Sequence, residues 1–225
     1  MDYQKIILIT NNFFNNSKVL KIDLIDFGLI NKTYIIQHSI DGVKSKFILQ
    51  CLSNIFESHE IVNMNHKLIT DHIRKNINRN YLDFDYQRWE VPALISCRDN
   101  NLLAFQFGSE FWRAMLYIDD TYSLDTLEDK KMAYQAGLGL AKFHINCSDL
   151  DSSKLGISIK NFHNTKYYID QYMINLKDYN FLKLDYKVNK RVQKLIFSLS
   201  NHILYACSIL RSIKKKSIDL TVIHG

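Results

Sequence analysis

The fold is decided by residues 19–50, which read VLKIDLIDFGLINKTYIIQHSIDGVKSKFILQ. Apolar and polar residues alternate from Val19 to Phe27 with the period of a half-buried β-strand, and Gly28 then breaks the pattern. β-Branched and aromatic residues return on both sides of Asp41-Gly42, a dipeptide typical of hairpin turns. We therefore predict three antiparallel strands over this stretch.

A helix is predicted after the third strand, because Ser58 is a favourable N-cap and apolar residues follow it at helical spacing. These apolar positions are Val62, Ile69, Ile73 and Ile77. His66 lies on the same stripe and is interpreted as a packing residue. Further strands are predicted at 89–97, 102–107 and 111–118, so that the first 118 residues are strand-rich with one inserted helix.

Helices are predicted for the rest of the chain, because apolar residues recur at intervals of three and four from Leu127 onward. The predicted helices contain residues 133–144, 167–176 and 188–213. The last could form a coiled-coil seam, but a single core-facing helix is the preferred interpretation. This pattern indicates an α+β fold, with a strand-rich lobe at 1–118, a hinge at 119–123 and a helical part at 124–225.

Composition indicates a globular chain and argues against several classes of function. Hydrophobic residues make up 47% of the sequence, and Pro and Gly are scarce, which argues against disorder. The net charge of +6 depends on Arg211 and the lysines at 214–216, a basic helix end, so no nucleic-acid partner is expected. The four cysteines contain no CxxC pair. The apolar run at 6–9 is too short for a signal peptide or a membrane span, and a cytoplasmic chain is expected.

The turn from Gly28 to Tyr34 is the first candidate binding element. Its backbone N–H groups and the side chains of Asn31 and Thr33 could donate hydrogen bonds to phosphate oxygens. A single glycine in a hairpin is most often just a turn, so both interpretations stay open.

Gln50 is the second candidate, at the end of the third strand. Alternation places Gln50 with Ile48 on the ligand-facing side, whereas Phe47 and Leu49 are expected to pack under the following helix. Protein kinases carry a lysine at this strand position and pair it with a glutamate on the next helix. Gln50 is uncharged, and Glu60 is interpreted as a first-turn carboxylate favoured by the helix dipole.

No metal site is predicted, although six residues have side chains and spacings that suit metal ligands. They are Asp119, Asp120, Asp125, His144, Cys147 and Asp149. The three aspartates in and just after the hinge are interpreted as loop and capping residues, and the other three as the end of a helix without a second ligand cluster.

Several stretches, taken in order, resemble one enzyme superfamily. They are 28–34 (GLINKTY), 47–50 (FILQ), 112–113 (WR), 117–123 (YIDDTYS), 133–144 ending in LAKFH, 159–165 (IKNFHNT) and 222–225 (VIHG). The ordered set resembles the phosphotransferase-enzyme superfamily of the aminoglycoside phosphotransferase and choline kinase type, and most closely its N-acetylhexosamine 1-kinases. The resemblance spans essentially the whole chain.

The resemblance implies a protein-kinase-like two-lobe fold that binds ATP and Mg²⁺ and phosphorylates the anomeric hydroxyl of an N-acetylated hexosamine. The residues it assigns to ATP are Gly28, Asn31, Thr33 and Gln50 at the phosphates, and Tyr117, Ile118 and Asp119 at the adenine. The motif that we assign to the substrate consists of Phe162, His163 and Asn164. No membrane partner is implied.

The resemblance ends within the catalytic loop. His224 matches the first residue of that loop, which acts as a scaffold, whereas the catalytic aspartate, an asparagine and the magnesium-binding aspartate would follow Gly225. Phosphoryl transfer depends on positioning and metal-assisted charge neutralisation, so these 225 residues alone are expected to lack appreciable kinase activity. A truncated chain, a separately encoded C-terminal chain and a lost C-terminal part all stay open.

Two functional hypotheses follow. The first is the N-terminal portion of an ATP-dependent small-molecule kinase of the N-acetylhexosamine type. The second is a non-catalytic nucleotide- or protein-binding module that retains the upper lobe. Whether this chain is an enzyme stays open.

Overall fold

The computed structural model describes residues 3–25, 28, 30–79, 88–124, 126–179, 186–218 and 220–222. Tertiary packing divides the chain into two compact units. The first unit comprises Met1–Lys160 with Thr221–Gly225, and the second comprises Asn161–Leu220. This division is separate from the predicted hinge at 119–123, which stays a prediction.

Six strands of the described residues form one antiparallel sheet, which confirms an α+β fold. The strands are β1 (Lys18–Ile25), β2 (Lys32–Ile40), β3 (Val43–Cys51), β4 (Leu94–Ile95), β5 (Phe105–Phe107) and β6 (Glu110–Leu116). Their order in the sheet is β1-β2-β3-β6-β4, and β5 pairs with β6 beside this path. The three strands predicted from residues 19–50 are therefore confirmed.

The turns and ends of the strands follow local chemistry. Asp41 and Gly42 join β2 to β3 with positive φ angles of 50° and 84°, as a two-residue hairpin turn requires. The strand predicted at 89–97 is wrong in extent, because only Leu94–Ile95 pairs with β6. Pro92 lies just before this pairing and has no N–H group to donate to a ladder.

Helix α1 (Tyr3–Thr10) covers one face of the sheet and was not predicted. Ile6 and Ile9 of α1 belong to a core cluster with apolar residues of four strands and of the neighbouring loops. Those residues are Phe13, Ile22, Ile36, Phe47, Leu49, Cys97, Trp112 and Ala114. The expectation that Phe47 and Leu49 pack under the helix after Ser58 is therefore wrong, because α1 occupies that face.

Helix α2 (His59–Arg79) follows β3, and Ser58 begins it as predicted, since the Ile61 N–H donates to Ser58 Oγ at 3.1 Å. Helix α3 (Lys130–Cys147) begins at Asp129, whose carboxylate accepts from the Met132 N–H. Ile73 of α2 forms a second core cluster with Cys147, Leu150 and Val222. His66 donates from Nε2 to the Pro92 carbonyl at 2.6 Å, so it holds α2 to the strand region.

The second unit consists of α4 (Thr165–Tyr179), α5 (Tyr186–Ala206) and α6 (Ser208–Lys214). The helix predicted at 188–213 is interrupted at Cys207, which ends α5 and caps α6 without a side-chain hydrogen bond. Tyr172 of α4 donates from its hydroxyl to the Ile196 carbonyl of α5 at 3.4 Å. Among the described residues, no helix combines the length and the hydrophobicity that a bilayer crossing requires.

Candidate functional site

Gln50 lies where three strands meet, on the sheet face opposite α1. In the ladder it stands beside Thr33 of β2 on one side and Arg113 of β6 on the other. Its Nε2 donates to Thr33 Oγ1 at 2.9 Å, and its Oε1 accepts from Arg113 Nε at 2.9 Å and Nη2 at 2.7 Å. The amide is thereby fixed in orientation by both neighbouring strands.

Arg113 extends this set of hydrogen bonds to helix α2. Its Nη1 donates to Asn63 Oδ1 at 3.3 Å, and both side chains are almost fully buried. We call Thr33, Gln50, Arg113 and Asn63 the cross-sheet network. Burial lowers the pKa of Arg113 to about 10, so the guanidinium stays protonated at neutral pH.

The turn between β1 and β2 lies beside this network, and its described residues have distinct roles. Asn31 Oδ1 accepts from the Ser53 N–H at 2.9 Å, so this side chain braces the segment between β3 and α2. A Cβ atom at Gly28 would lie 3.0 Å from the Asn31 carbonyl oxygen, which explains why glycine suits this close approach. Of the predicted phosphate residues, Thr33 is the one whose side chain contacts Gln50.

Two charged residues near β3 lie outside the network. Glu60 accepts from Ser58 Oγ at 3.0 Å and is exposed in the first turn of α2, in keeping with its interpretation as a first-turn carboxylate. Lys46 Nζ lies 4.9 Å from the centroid of the Tyr117 ring and 3.8 Å from Asp119 Oδ1. Lys46 is four residues before Gln50, about 13 Å along the strand, so it lies near Tyr117 and Asp119 and away from the network.

The predicted hinge residues Tyr117 and Ile118 line a cavity of about 320 Å³ together with the end of α2 and the strand region before β4. The other lining residues are Arg74, Ile77, Trp89, Glu90, Val91 and Leu116. The Ile118 carbonyl accepts from Thr121 Oγ1 at 2.9 Å, and Asp120 adopts a positive φ of 56°. The Thr121 side chain therefore holds the segment after β6 in a turn.

Phe162, His163 and Asn164, the predicted substrate motif, belong to the second unit. Asn164 Oδ1 accepts from the Tyr167 N–H at 3.1 Å and so begins α4. The exposed Phe162 and His163 rings have centroids 3.9 Å apart. A capping role accounts for Asn164. It does not account for the two exposed rings. His224, the predicted loop scaffold, and Asp125 lie outside the described residues.

Cys147 and Asp149, two of the three residues with ligand-like spacing at the end of α3, have structural partners. Cys147 is fully buried in the core under α2, and Asp149 Oδ1 lies 2.6 Å from His72 Nε2. Asn76 donates from Nδ2 to the same carboxylate at 3.0 Å. Within the described ranges, no three His, Cys, Asp or Glu side chains are grouped closely enough to hold a metal ion.

Two residues of the cross-sheet network were missed as site residues from the sequence. Asn63 is a polar residue on the buried side of α2, and Arg113 is the lone charge between the apolar residues Trp112 and Ala114. A single arginine inside an apolar strand indicates that a polar partner is buried beside it. Its partner is 50 residues away in sequence, so local patterns do not contain it.

Comparisons with known proteins add no family assignment. A scan against models of protein families finds no match, and a search of curated proteins finds no significant similarity. The features that bear on function are therefore the cross-sheet network, the turn beside it and the segment after β6.

Proposed function

We propose that the chain is a nucleotide-binding, kinase-like protein, and that it binds ATP on the α2 side of the sheet. The observation that carries this proposal is the cross-sheet network. In protein kinases, a lysine on the third strand pairs with a glutamate on the next helix and holds the phosphates. Here Gln50 of β3 is joined to Asn63 of α2 through Arg113, so the same two kinds of element are tied by other side chains.

The order of the elements supports the same proposal. The turn at Gly28 leads into β2, where Thr33 contacts Gln50, and backbone N–H groups of this turn would meet phosphate oxygens. Strand β6 leads directly from Arg113 to Tyr117, Ile118 and Asp119, whose backbone groups would meet the adenine. Both ends of a nucleotide thus have candidate partners along one face of the sheet.

Within this class, the resemblance favours the N-terminal portion of a sugar kinase that acts on N-acetylated hexosamines. Phe162 and His163 would then contact the sugar, with Asn164 holding the start of α4. Mg²⁺ is the metal implied for phosphoryl transfer, but no group of suitable ligands forms among the described residues. The proposed binding of nucleotide therefore depends on the chain's own residues.

The test is calorimetric titration of the purified 225-residue chain with ATP, ADP and adenosine. We expect saturable binding of all three at one shared site, since the hinge contacts are common to them. Absence of binding by all three ligands at millimolar concentration would contradict the proposal. A steady-state ADP-release assay with Mg-ATP and N-acetylhexosamines then separates a kinase from a nucleotide-binding module.

A further inference from the structure

We propose that Arg113, from strand β6, supplies the positive charge that holds the nucleotide phosphates, in place of a lysine on the third strand. The inference rests on the proposed nucleotide-binding function and assigns a phosphate-binding residue within it. It follows from the position of Arg113, from its charge and from the neutrality of its partners.

The position of Arg113 suits this role, because it stands directly beside Gln50 in the ladder. Gln50 carries no charge, and Lys46 on the same side of β3 contacts Tyr117 and Asp119 at the hinge end. Lys32 pairs with Cys51, one position along from Thr33 and Gln50, and therefore points to the opposite face. Among the described residues, the guanidinium of Arg113 is the cation that the sheet places next to Gln50, on the side opposite Thr33.

The charge of Arg113 is not neutralised by the described part of the chain. Three of its five N–H groups donate to Gln50 and Asn63, which are uncharged acceptors. No carboxylate of the described residues lies within 4 Å of the guanidinium, although the residue is only 8% exposed. A buried cation without a counter-ion is unfavourable, and a bound anion with several oxygens would relieve that cost.

The partners of Arg113 orient the guanidinium without neutralising its charge. Gln50 Oε1 accepts two of its N–H groups, which fixes the plane of the fork, and Asn63 holds the outer nitrogen. A planar, oriented guanidinium with two remaining N–H groups matches the geometry of phosphate oxygens. Glutamate or aspartate at these two positions would have given the same hydrogen bonds and cancelled the charge.

A competing interpretation is that Arg113 only fastens α2 to the sheet. The two interpretations differ in what they predict for Asn63→Asp, a nearly isosteric change that places a carboxylate against Nη1. If Arg113 only fastens α2, the new ion pair raises the melting temperature and leaves nucleotide affinity unchanged. If Arg113 binds phosphates, the same change weakens phosphate binding while the fold becomes no less stable.

The experiment measures ATP, adenosine and inorganic triphosphate affinities for the full chain and three variants. We expect Asn63→Asp to weaken ATP and triphosphate binding roughly tenfold or more, with adenosine affinity within about twofold of the unaltered chain. Arg113→Met should lose ATP affinity to a similar or larger extent. Asn15→Asp is the matched control, because Asn15 Oδ1 also accepts from an arginine, Arg98 Nη1 at 3.2 Å, on the exposed surface.

The outcomes separate this inference from the proposed function. Unchanged ATP and triphosphate affinities in Asn63→Asp, in a chain that binds nucleotide, would overturn the role of Arg113 and leave nucleotide binding intact. Triphosphate binding that is lost in Asn63→Asp, in a chain that does not bind adenosine, would support the role of Arg113 and contradict the nucleotide site. Equal losses in Asn63→Asp and the Asn15→Asp control would also overturn the inference.

Discussion

Single residues set the charge balance inside the first unit. Among the described residues, the hydrogen-bond partners of Arg113 are amide side chains, and burial lowers its pKa to about 10, which corresponds to a cost on the order of 3 kcal/mol. Such a cost is a large share of the 5–15 kcal/mol, approximately, that stabilises a typical domain. Keeping a cation that has no carboxylate partner among the described residues is therefore unfavourable for folding and calls for another physical benefit.

His38 is a second buried titratable residue, on the face that α1 covers. Its two ring nitrogens are hydrogen-bonded to Ser17 Oγ and Ser45 Oγ, each at 2.9 Å, and the ring packs against Phe14 and Phe47. Burial lowers the pKa of His38, since the protonated ring would be desolvated.

The pH dependence of stability follows from this shift. Because the folded pKa lies below the unfolded value near 6.5, the unfolded chain takes up the proton first, and the free energy of unfolding should fall as pH drops below about 6.5. Urea denaturation at pH 7.5, 6.5 and 5.5 measures the slope of the free energy of unfolding against pH. His66, whose pKa is also lowered by burial, adds to it, so His38→Gln should reduce the slope but keep part of it. An unchanged slope in His38→Gln would contradict the assignment.

At the level of elements, β3 is covered by different structures on its two faces. Phe47 and Leu49 pack under α1, and Gln50 on the other face is joined to α2 through Arg113. The alternation of residues along β3 predicts the two faces, because a period of two is a local property of a strand. It does not predict which helix covers which face, since that depends on contacts some 40 residues apart in sequence.

Helix α1 should contribute much of the stability of the sheet. Ile9 is fully buried in the core, so Ile9→Ala should lower the free energy of unfolding by about 2–4 kcal/mol. Leu8, its neighbour, is 55% exposed, and Leu8→Ala should change the free energy of unfolding by less than about 0.5 kcal/mol. Urea denaturation of both variants tests the pair. Similar effects of the two substitutions would show that α1 does not pack as described.

The candidate site was predictable from the sequence only in part. Gln50 and Thr33 were identified because strand alternation and a turn signal place them near one another, and the structure joins them by a hydrogen bond. Arg113 and Asn63 were not identified as site residues, because their pairing links a strand and a helix that local patterns treat separately. Helix α1 was missed because Ile6 to Ile9 form an unbroken apolar run without helical periodicity.

At the level of the whole molecule, buried residues are unevenly distributed between the two units. Both core clusters belong to the first unit. None of the described residues of 161–220 is buried, although α5 is a helix of 21 residues. Helices that bury little apolar surface gain little tertiary stability, because propensity alone is marginal in water.

Hydrogen exchange should therefore differ sharply between the units. Backbone amides of β3 and α2 should be protected against exchange at least about tenfold more than amides of α4, α5 and α6. Hydrogen-exchange mass spectrometry of the full chain measures both in one experiment, with the exposed turn at Asp41-Gly42 as the unprotected reference. Equal protection of α2 and α5 would mean that the second unit has a core that its side-chain exposure does not indicate.

Val222 gives the first unit a constraint on the timing of its folding. Its side chain is 5% exposed and packs with Ile73, Cys147 and Leu150, so the second core cluster joins residues about 150 positions apart. Contacts of such long range form late, because the intervening loop must close before they can stabilise the chain. During synthesis on the ribosome, Ile73 and its neighbours would lack this cover until residue 222 had emerged. The sheet, whose strands end at Leu116, could assemble long before that moment.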